Sequence, residues 1–424
     1  MTMSFSDRYI EFVKNKTIAE PEKNWNKILL GFQGNALINK LRPPKNLAKG
    51  YQKLNDLMLS FIAKALSSGS RYIWGNILAP CEVINSMGIR MISVEALACF
   101  LSGYHLEDFF IDYAQSIGLA PTLCSYHKAF VGAVESGVCP KPKYAVTTSL
   151  SCDGNLNTFR FLEKQEQVPF SLLDVPYTND EDAVEYLADQ IREMAHQVEN
   201  HMGIAFSEDK LRETIRIENE TMDEIAKFYQ LAQKHYYPGS LTMQLYMMMG
   251  THLLMGTKEF LDVVKFMNKD IQTYPAFTGK RILWVHVMPF YQETLKQYFD
   301  CSEKYQVLAS DIVIDYNDKL DENEDPFKTL ARKLISNIFN GSYSHKSQRI
   351  DNLADELKPD AVIHFCHWGC KQVSGGSNIL KNDMKEKEIP MLILDGDGID
   401  KRNSHDGQIK TRLEAFLEMI EEDD

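Results

Sequence analysis

Several things are missing from this chain, and each absence narrows what it can be. No run comes near the roughly eighteen uninterrupted apolar residues of a membrane-spanning helix. Met1 to Lys16 carries Asp7, Arg8, Glu11, Lys14 and Lys16 and lacks the apolar stretch and small-residue cleavage site of a secretory signal, so the cytoplasm is the expected compartment and no membrane contact is expected. Basic excess is missing too: 46 Lys and Arg stand against 59 Asp and Glu, a net charge of -13 that repels a polyanion and argues against nucleic acid as a partner. Neither G-x-G-x-x-G after a strand nor G-x-x-x-x-G-K-[ST] occurs, so dinucleotide and P-loop sites have no local support. H-E-x-x-H and G-x-S-x-G are absent, the eleven histidines form no zinc spacing, and a hydrolase is disfavoured. No repeat or low-complexity tract is visible, which sets solenoids and propellers aside.

What is present is the composition of a folded globular protein, 44% hydrophobic and 25% charged over 424 residues, enough for two or three domains. Short β-branched or aromatic runs at Arg71 to Ile77, Met91 to Glu95, Tyr144 to Thr148 and Phe170 to Val175 alternate with stretches long enough for crossover helices. The pattern resumes at Arg281 to Val287, Asp311 to Ile314, Ala361 to Phe365 and Pro390 to Asp395. The expected fold is therefore α/β, with two parallel-sheet domains of the Rossmann or flavodoxin-like kind joined by a helical segment. The boundaries are placed at 1–68 for a helical N-terminal extension, 69–178 for the first α/β domain, 179–275 for a helical connector and 276–424 for the second α/β domain.

In the connector, Val184, Leu187, Ile191, Met194 and Val198 step by three and four along one face of an amphipathic helix. Leu211, Ile215, Met222 and Ile225 mark a second helix, with Pro238-Gly239 as a stop. Met247, Met248, Met249 and Met255 read as adaptable core packing rather than a cofactor box. The last helix carries Ile409, Leu413, Phe416 and Met419 on one stripe, and its acidic end, Glu421 to Asp424, opposes the helix dipole. Gly375-Gly376 fits either a phosphate-wrapping turn or a plain strand-to-helix turn.

Eight cysteines, at 81, 99, 124, 139, 152, 301, 366 and 370, point in a cytosolic chain to free thiols, metal ligands or a catalytic sulfur before disulfides. Cys152 follows the strand run Tyr144 to Thr148, and Cys366 and Cys370 follow Ala361 to Phe365; the carboxyl ends of parallel strands are where open α/β sheets bind ligands. Thiolates from separate segments suit an iron-sulfur cluster, because iron prefers soft sulfur and a fold can converge remote loops. Cys99 and Cys301 are read as small buried hydrophobes, and Cys139 is left open.

The segments that carry these residues, WGNILAPCE (74–82), LCSYHKAFVG (123–132), TTSLSCDGNLNTF (147–159), HFCHWGCK (364–371) and LDGDGIDKRNSHDGQIKTRLEAF (394–416), together resemble the 2-hydroxyacyl-CoA dehydratase and benzoyl-CoA reductase family in order and spacing. The resemblance runs over most of the chain from about residue 69. It implies a [4Fe-4S] cluster held by Cys124, Cys152 and Cys370 with one iron free of protein thiolate, the pattern of a catalytic metal site. Where related dehydratase subunits carry a substrate-holding Ser, this chain has Ile77; where they often have Gln, it has Cys81. Cys81 and Cys366 are thus two possible extra ligands, and a double-cubane [8Fe-9S] cluster is the alternative cofactor.

The resemblance also implies radical chemistry on an acyl-CoA substrate. The β proton of a 2-hydroxyacyl thioester is unactivated and hydroxide must leave from the α carbon, so an acid/base pair alone does not suffice. One electron on the carbonyl makes a ketyl that expels the hydroxyl and acidifies the β hydrogen. The electron is expected from a separate ATP-dependent iron-sulfur activator protein, and a paralogous dehydratase subunit is expected as heterodimer partner. Glu95 is the first candidate for proton handling and Glu82 the second. His127 and His367, beside cysteines, are candidates for hydrogen bonds to the cluster. Asp395, Asp397, Asp400 and Arg402, with Gln408 and Arg412 nearby, read as a loop network holding the final helix, three Asp around a metal being the sharper alternative. Three functions follow: a dehydratase subunit acting on (R)-2-hydroxyacyl-CoA, a benzoyl-CoA-reductase-like or double-cubane reductase subunit, and a non-catalytic cluster-binding partner subunit.

Overall fold

The computed structural model describes residues 5–67, 71–316 and 319–422. The expected boundary at 68/69 and the acidic residues Asp423 and Asp424 lie outside the described residues.

The apolar runs form two all-parallel four-stranded sheets. The first contains β1 (Tyr72–Gly75), β2 (Arg90–Ser93), β3 (Ala145–Thr148) and β4 (Phe170–Leu173) in the order β2-β1-β3-β4. The second contains β5 (Lys280–Val285), β6 (Tyr305–Ser310), β7 (Ala361–His367) and β8 (Met391–Gly396) in the order β6-β5-β7-β8. Both sheets thus use the same order, the opening of the flavodoxin-type arrangement. Helices cover the faces, which is why β1, β3 and β7 are buried along their whole length instead of alternating.

One expected strand is corrected. Asp311 to Ile314 is a turn, and the strand lies just before it, pairing with β5 from Tyr305 opposite Lys280 to Ser310 opposite Trp284. The chain leaves the sheet at Asp311 because that carboxylate accepts the His286 N–H at 2.7 Å and pairs with the buried Lys346 ammonium. Ile312 and Val313 are buried all the same, so their β-branched character records burial in a turn rather than ladder pairing.

The run at Met91 ends as a strand at Ser93, whose hydroxyl accepts the Ala96 N–H and caps the helix Val94–Ser102. Glu95 therefore stands in the first turn of a helix at the carboxyl edge of the sheet. In the connector, Asp180 caps the helix Glu181–Met202, which buries Val184, Leu187, Ile191, Met194 and Val198 as the spacing predicts. The next helix, Glu208–Ala232, ends well before Pro238-Gly239. Met247, Met249 and Met255 are fully buried. No helix among the described residues is long and apolar enough to cross a membrane.

Strand order reverses between β1 and β3 and again between β5 and β7. At such points the loops leaving adjacent strands diverge and open a crevice. The two crevices face one another.

Candidate functional site

A cavity of about 100 Å³ lies between the sheets, walled by the residues that follow those four strands: Ile77 and Leu78 after β1, Ser151 and Cys152 after β3, His286 and Val287 after β5, and His367 and Cys370 at the end of β7. Cys124, Glu95, Tyr126, His127 and Asn155 also line it. Topology, rather than any local motif, has gathered thiols from three distant segments. Cys124 and Cys152 also line a second cleft of about 390 Å³, together with Tyr177 and Lys371.

Each of the three cysteines is the residue immediately before a helical segment: Ser125–Glu135, Asp153–Glu166 and the single turn Lys371–Ser374. Backbone N–H groups of Tyr126, of Gly154 and Asn155, and of Gln372 and Val373 lower the cost of charge on the three sulfurs. Burial acts the other way and wins, and for Cys124 the charges of Cys152 and Cys370 add to it, holding that thiol well above its usual range; Cys370 is pushed up to about 11. Close approach is built into the backbone: a Cβ at Gly369 would sit 2.4 Å from Cys124 Cα, so only glycine lets the two loops touch.

His367 Nε2 lies 3.2 Å from Cys124 Sγ, while its Nδ1 accepts the Gly398 N–H at 3.0 Å. Since Nδ1 is an acceptor, the proton of the neutral ring is on Nε2, and His367 donates to the sulfur. His127 makes a 2.9 Å hydrogen bond from Nδ1 to the Thr158 hydroxyl and faces the cavity with its other edge. The charged turn after β8 reaches the same place: Asp397 accepts from Ser125, next to Cys124, at 2.5 Å and from the N–H groups of Ile399 and Asp400 at 3.0 Å. Its role therefore extends beyond the final helix, which Arg412 ties to Asp395 at 3.1 Å.

Glu95 faces the cavity with Oε2 held by the Ile77 N–H at 3.0 Å, and desolvation raises its pKa to about 7. Glu82 is elsewhere. It is 1% exposed and ion-paired with Lys333, which also meets Glu218 at 2.6 Å. Cys81 is buried beside that network, and Cys366 lies buried near His364, neither of them lining the cavity.

Sequence reasoning passed over several cavity residues. His286 carried only the weak signal of a lone His at a strand end. Cys99 is buried as expected, yet its side chain lines the chamber, as do Met248 and Met249 of the methionine-rich helix Leu241–Leu253. Cys301 is only half-buried, against Asn46, and Cys139 is buried away from the site. Gly375-Gly376 is a turn packed on the Tyr343 ring.

Among the described residues no three His, Cys, Asp or Glu side chains are placed to hold a single metal ion. Ligands of one ion must crowd within a few ångströms of each other, whereas a cubane spreads its thiolates over separate irons. The donor chemistry of the cavity, three thiols from separate segments, suits the second case. Burial and mutual repulsion disfavour negative charge on the three sulfurs, so a cationic group bound among them would offset that cost, and among the described residues Asn155 Oδ1 and both ring nitrogens of His286 are buried on the same cavity without a partner.

Comparison with known proteins assigns the class. The family model for 2-hydroxyglutaryl-CoA dehydratase, D-component, matches residues 76–420, and the chain belongs to this family. It is 22% identical over 380 residues to the (R)-phenyllactyl-CoA dehydratase alpha subunit of Clostridium sporogenes, covering 84% of this chain and 91% of that one. It is 25% identical over 283 residues to the beta subunit of the same enzyme, covering 64% and 72%. A subunit of the benzoyl-CoA reductase of Thauera aromatica is 20% identical over 344 residues, 73% of this chain and 79% of that one.

Proposed function

We propose that this chain is a subunit of a 2-hydroxyacyl-CoA dehydratase that removes water from an (R)-2-hydroxyacyl-CoA to give the 2-enoyl-CoA, with a [4Fe-4S] cluster held by Cys124, Cys152 and Cys370. The observation that carries the reading is the meeting of three sequence-distant thiols and one carboxyl of pKa about 7 on a single enclosed cavity. When bound, the cluster supplies a low-potential electron at the thioester carbonyl.

The chain's own residues do the rest. The apolar walls, Ile77, Leu245, Val287 and Ile312 among them, keep water from the acyl group. Glu95, held by Ile77 N–H and close to half-protonated at neutral pH, gives its proton to the departing 2-hydroxyl, which leaves as water, and the resulting carboxylate then takes the acidified proton from the β carbon, restoring the carboxyl. His367 orients Cys124 and lowers the electron density on its sulfur. Cys81 and Cys366 lie off the cavity, which supports a three-thiolate cubane over a double cubane. Likeness to both subunits of one dehydratase supports a paralogous partner, and the absence of a nucleotide motif supports a separate ATP-dependent activator. The benzoyl-CoA reductase relative favours a second reading, reductive turnover at the same site.

The test is anaerobic purification with any subunit that copurifies, followed by iron and sulfide counts. About four of each per chain is expected, lost on changing Cys124, Cys152 or Cys370 to Ala and kept on changing Cys139 or Cys301 to Ala. Metal-free protein that dehydrates 2-hydroxyacyl-CoA would overturn the reading. ATP needed only to start turnover marks the dehydratase; ATP consumed at every turnover marks the reductase.

A further inference from the structure

Among the polar side chains on the cavity that have no part in the scheme above, His286 stands out for its backbone and its unpartnered ring. His286 directly follows β5, and its backbone lies in the left-handed region at φ 75°, a conformation that a non-glycine residue adopts only at a cost. The turn is held deliberately: the His286 N–H donates to Asp311 Oδ1 at 2.7 Å, and Asp311, wholly buried, is neutralised by the buried Lys346. What the turn achieves is the direction of the imidazole. It lines the cavity, is only 7% exposed, and neither of its ring nitrogens has a hydrogen-bond partner among the described residues.

Packing does not account for it. The ring rests near Phe339, with centroids 6.4 Å apart, a contact that any apolar side chain would make without leaving two nitrogens unsatisfied. Burial, together with Lys346, His367 and His364, keeps the ring uncharged. A neutral imidazole presents one N–H donor and one lone pair. The same cavity carries apolar walls at Val287, Ile312, Met248 and Phe339, and among the described residues none of its polar side chains, Tyr126, Ser151 and Asn155 included, is hydrogen-bonded to the ring.

The acyl part of a plain acyl thioester beyond its carbonyl is hydrocarbon and needs neither donor nor acceptor. A 2-hydroxyacyl group differs from it by one oxygen that can use a donor. Ile77, on the same cavity, has no polar side chain, and its N–H is already engaged by Glu95. We propose that His286 binds the 2-hydroxyl of the substrate through its ring N–H and thereby selects 2-hydroxyacyl over unsubstituted acyl thioesters. The proposal rests on the dehydratase reading.

Binding is measured by titration calorimetry on the anaerobically purified, cluster-loaded protein with any copurifying subunit, without activator or ATP so that nothing turns over. Two probe pairs are used: (R)-lactoyl-CoA with propionyl-CoA, and (R)-phenyllactyl-CoA with 3-phenylpropionyl-CoA. In the wild type the hydroxylated member of at least one pair binds about tenfold tighter or more. His286→Gly, which suits the left-handed backbone and so keeps the fold, weakens the hydroxylated member by about that factor and leaves its partner unchanged. His286→Asn, which also tolerates that backbone and keeps an amide donor, restores part of the preference. Equal weakening of both members, an undiminished preference in His286→Gly, or a wild type that shows no preference in either pair would overturn the assignment while leaving the dehydratase reading in place. A fall in iron content on His286→Gly would make the ring a cluster ligand and overturn it too. Failure of the wild type to bind either pair would remove the dehydratase reading itself.

Discussion

Glu82 and Glu95 lie on neighbouring helices at the edge of the first sheet, both are taken out of water, and their pKa values move in opposite directions. Burial alone would raise both. At Glu82 the Lys333 ammonium overcomes it and holds the carboxyl below its usual range, while Glu218, sharing the same cation and bonded by the Tyr316 hydroxyl at 2.6 Å, is raised and carries the proton of the pair. At Glu95 no side-chain cation is in contact, desolvation prevails, and the group titrates near neutrality. A buried carboxylate with its own counter-charge is spent on holding helices together; one that faces a cavity without such a partner remains free to exchange a proton. The distinction places Glu82 in an ion-pair network of the scaffold and supports the proposed role of Glu95 in proton handling.

The largest consequence concerns the scaffold. Lys333→Met leaves two buried carboxyls without their cation and is expected to destabilise the chain by about 3–5 kcal/mol in urea unfolding. A variant as stable as the wild type would mean that the pairing contributes nothing.

Glu95→Gln should act in the other direction. Because its folded pKa of about 7 lies above the ordinary 4.5, the native state holds the proton more tightly than the unfolded chain. Its contribution is fully present below pH 4.5 and is lost as pH rises through 7. The cluster-free variant should therefore melt like the wild type at acid pH and be more stable at pH 8 by up to about 3 kcal/mol. In the active complex the variant should lose the inflection near pH 7 from its rate profile. Equal stability at pH 8 would show that Glu95 has a partner after all.

The smallest effect belongs to His367. Its N–H bond to Cys124 favours the more negative, reduced state, so His367→Ala should lower the midpoint potential by tens of millivolts, read by EPR-monitored redox titration at unchanged iron content. An unmoved potential would reduce the contact to packing.

Seven of the eight strands lay where short apolar runs bounded by turns placed them, because strands covered on both faces must be apolar throughout. The run at Asp311 to Ile314 misled for the same reason: it is just as buried, and burial is what β-branched composition reports. That Cys124, Cys152, Cys370 and Glu95 line one cavity agrees with a choice made from strand ends and from the resemblance of five ordered motifs, which are local and sequential properties.

The separation of Glu82 from Glu95 could not be, since Lys333 stands 251 residues from Glu82 and nothing near either glutamate announces it. Nor could the use of His286, whose direction depends on a left-handed turn held by a carboxylate on the neighbouring strand's end. The linear order of residues determined which elements form and which side chains stand at their ends, since both depend on short-range pattern. Only the folded chain decided which of those ends share a cavity and which charges meet, because solvation and Coulomb energies depend on distance in space, and two sheets that face one another across a cavity make neighbours of residues hundreds of positions apart.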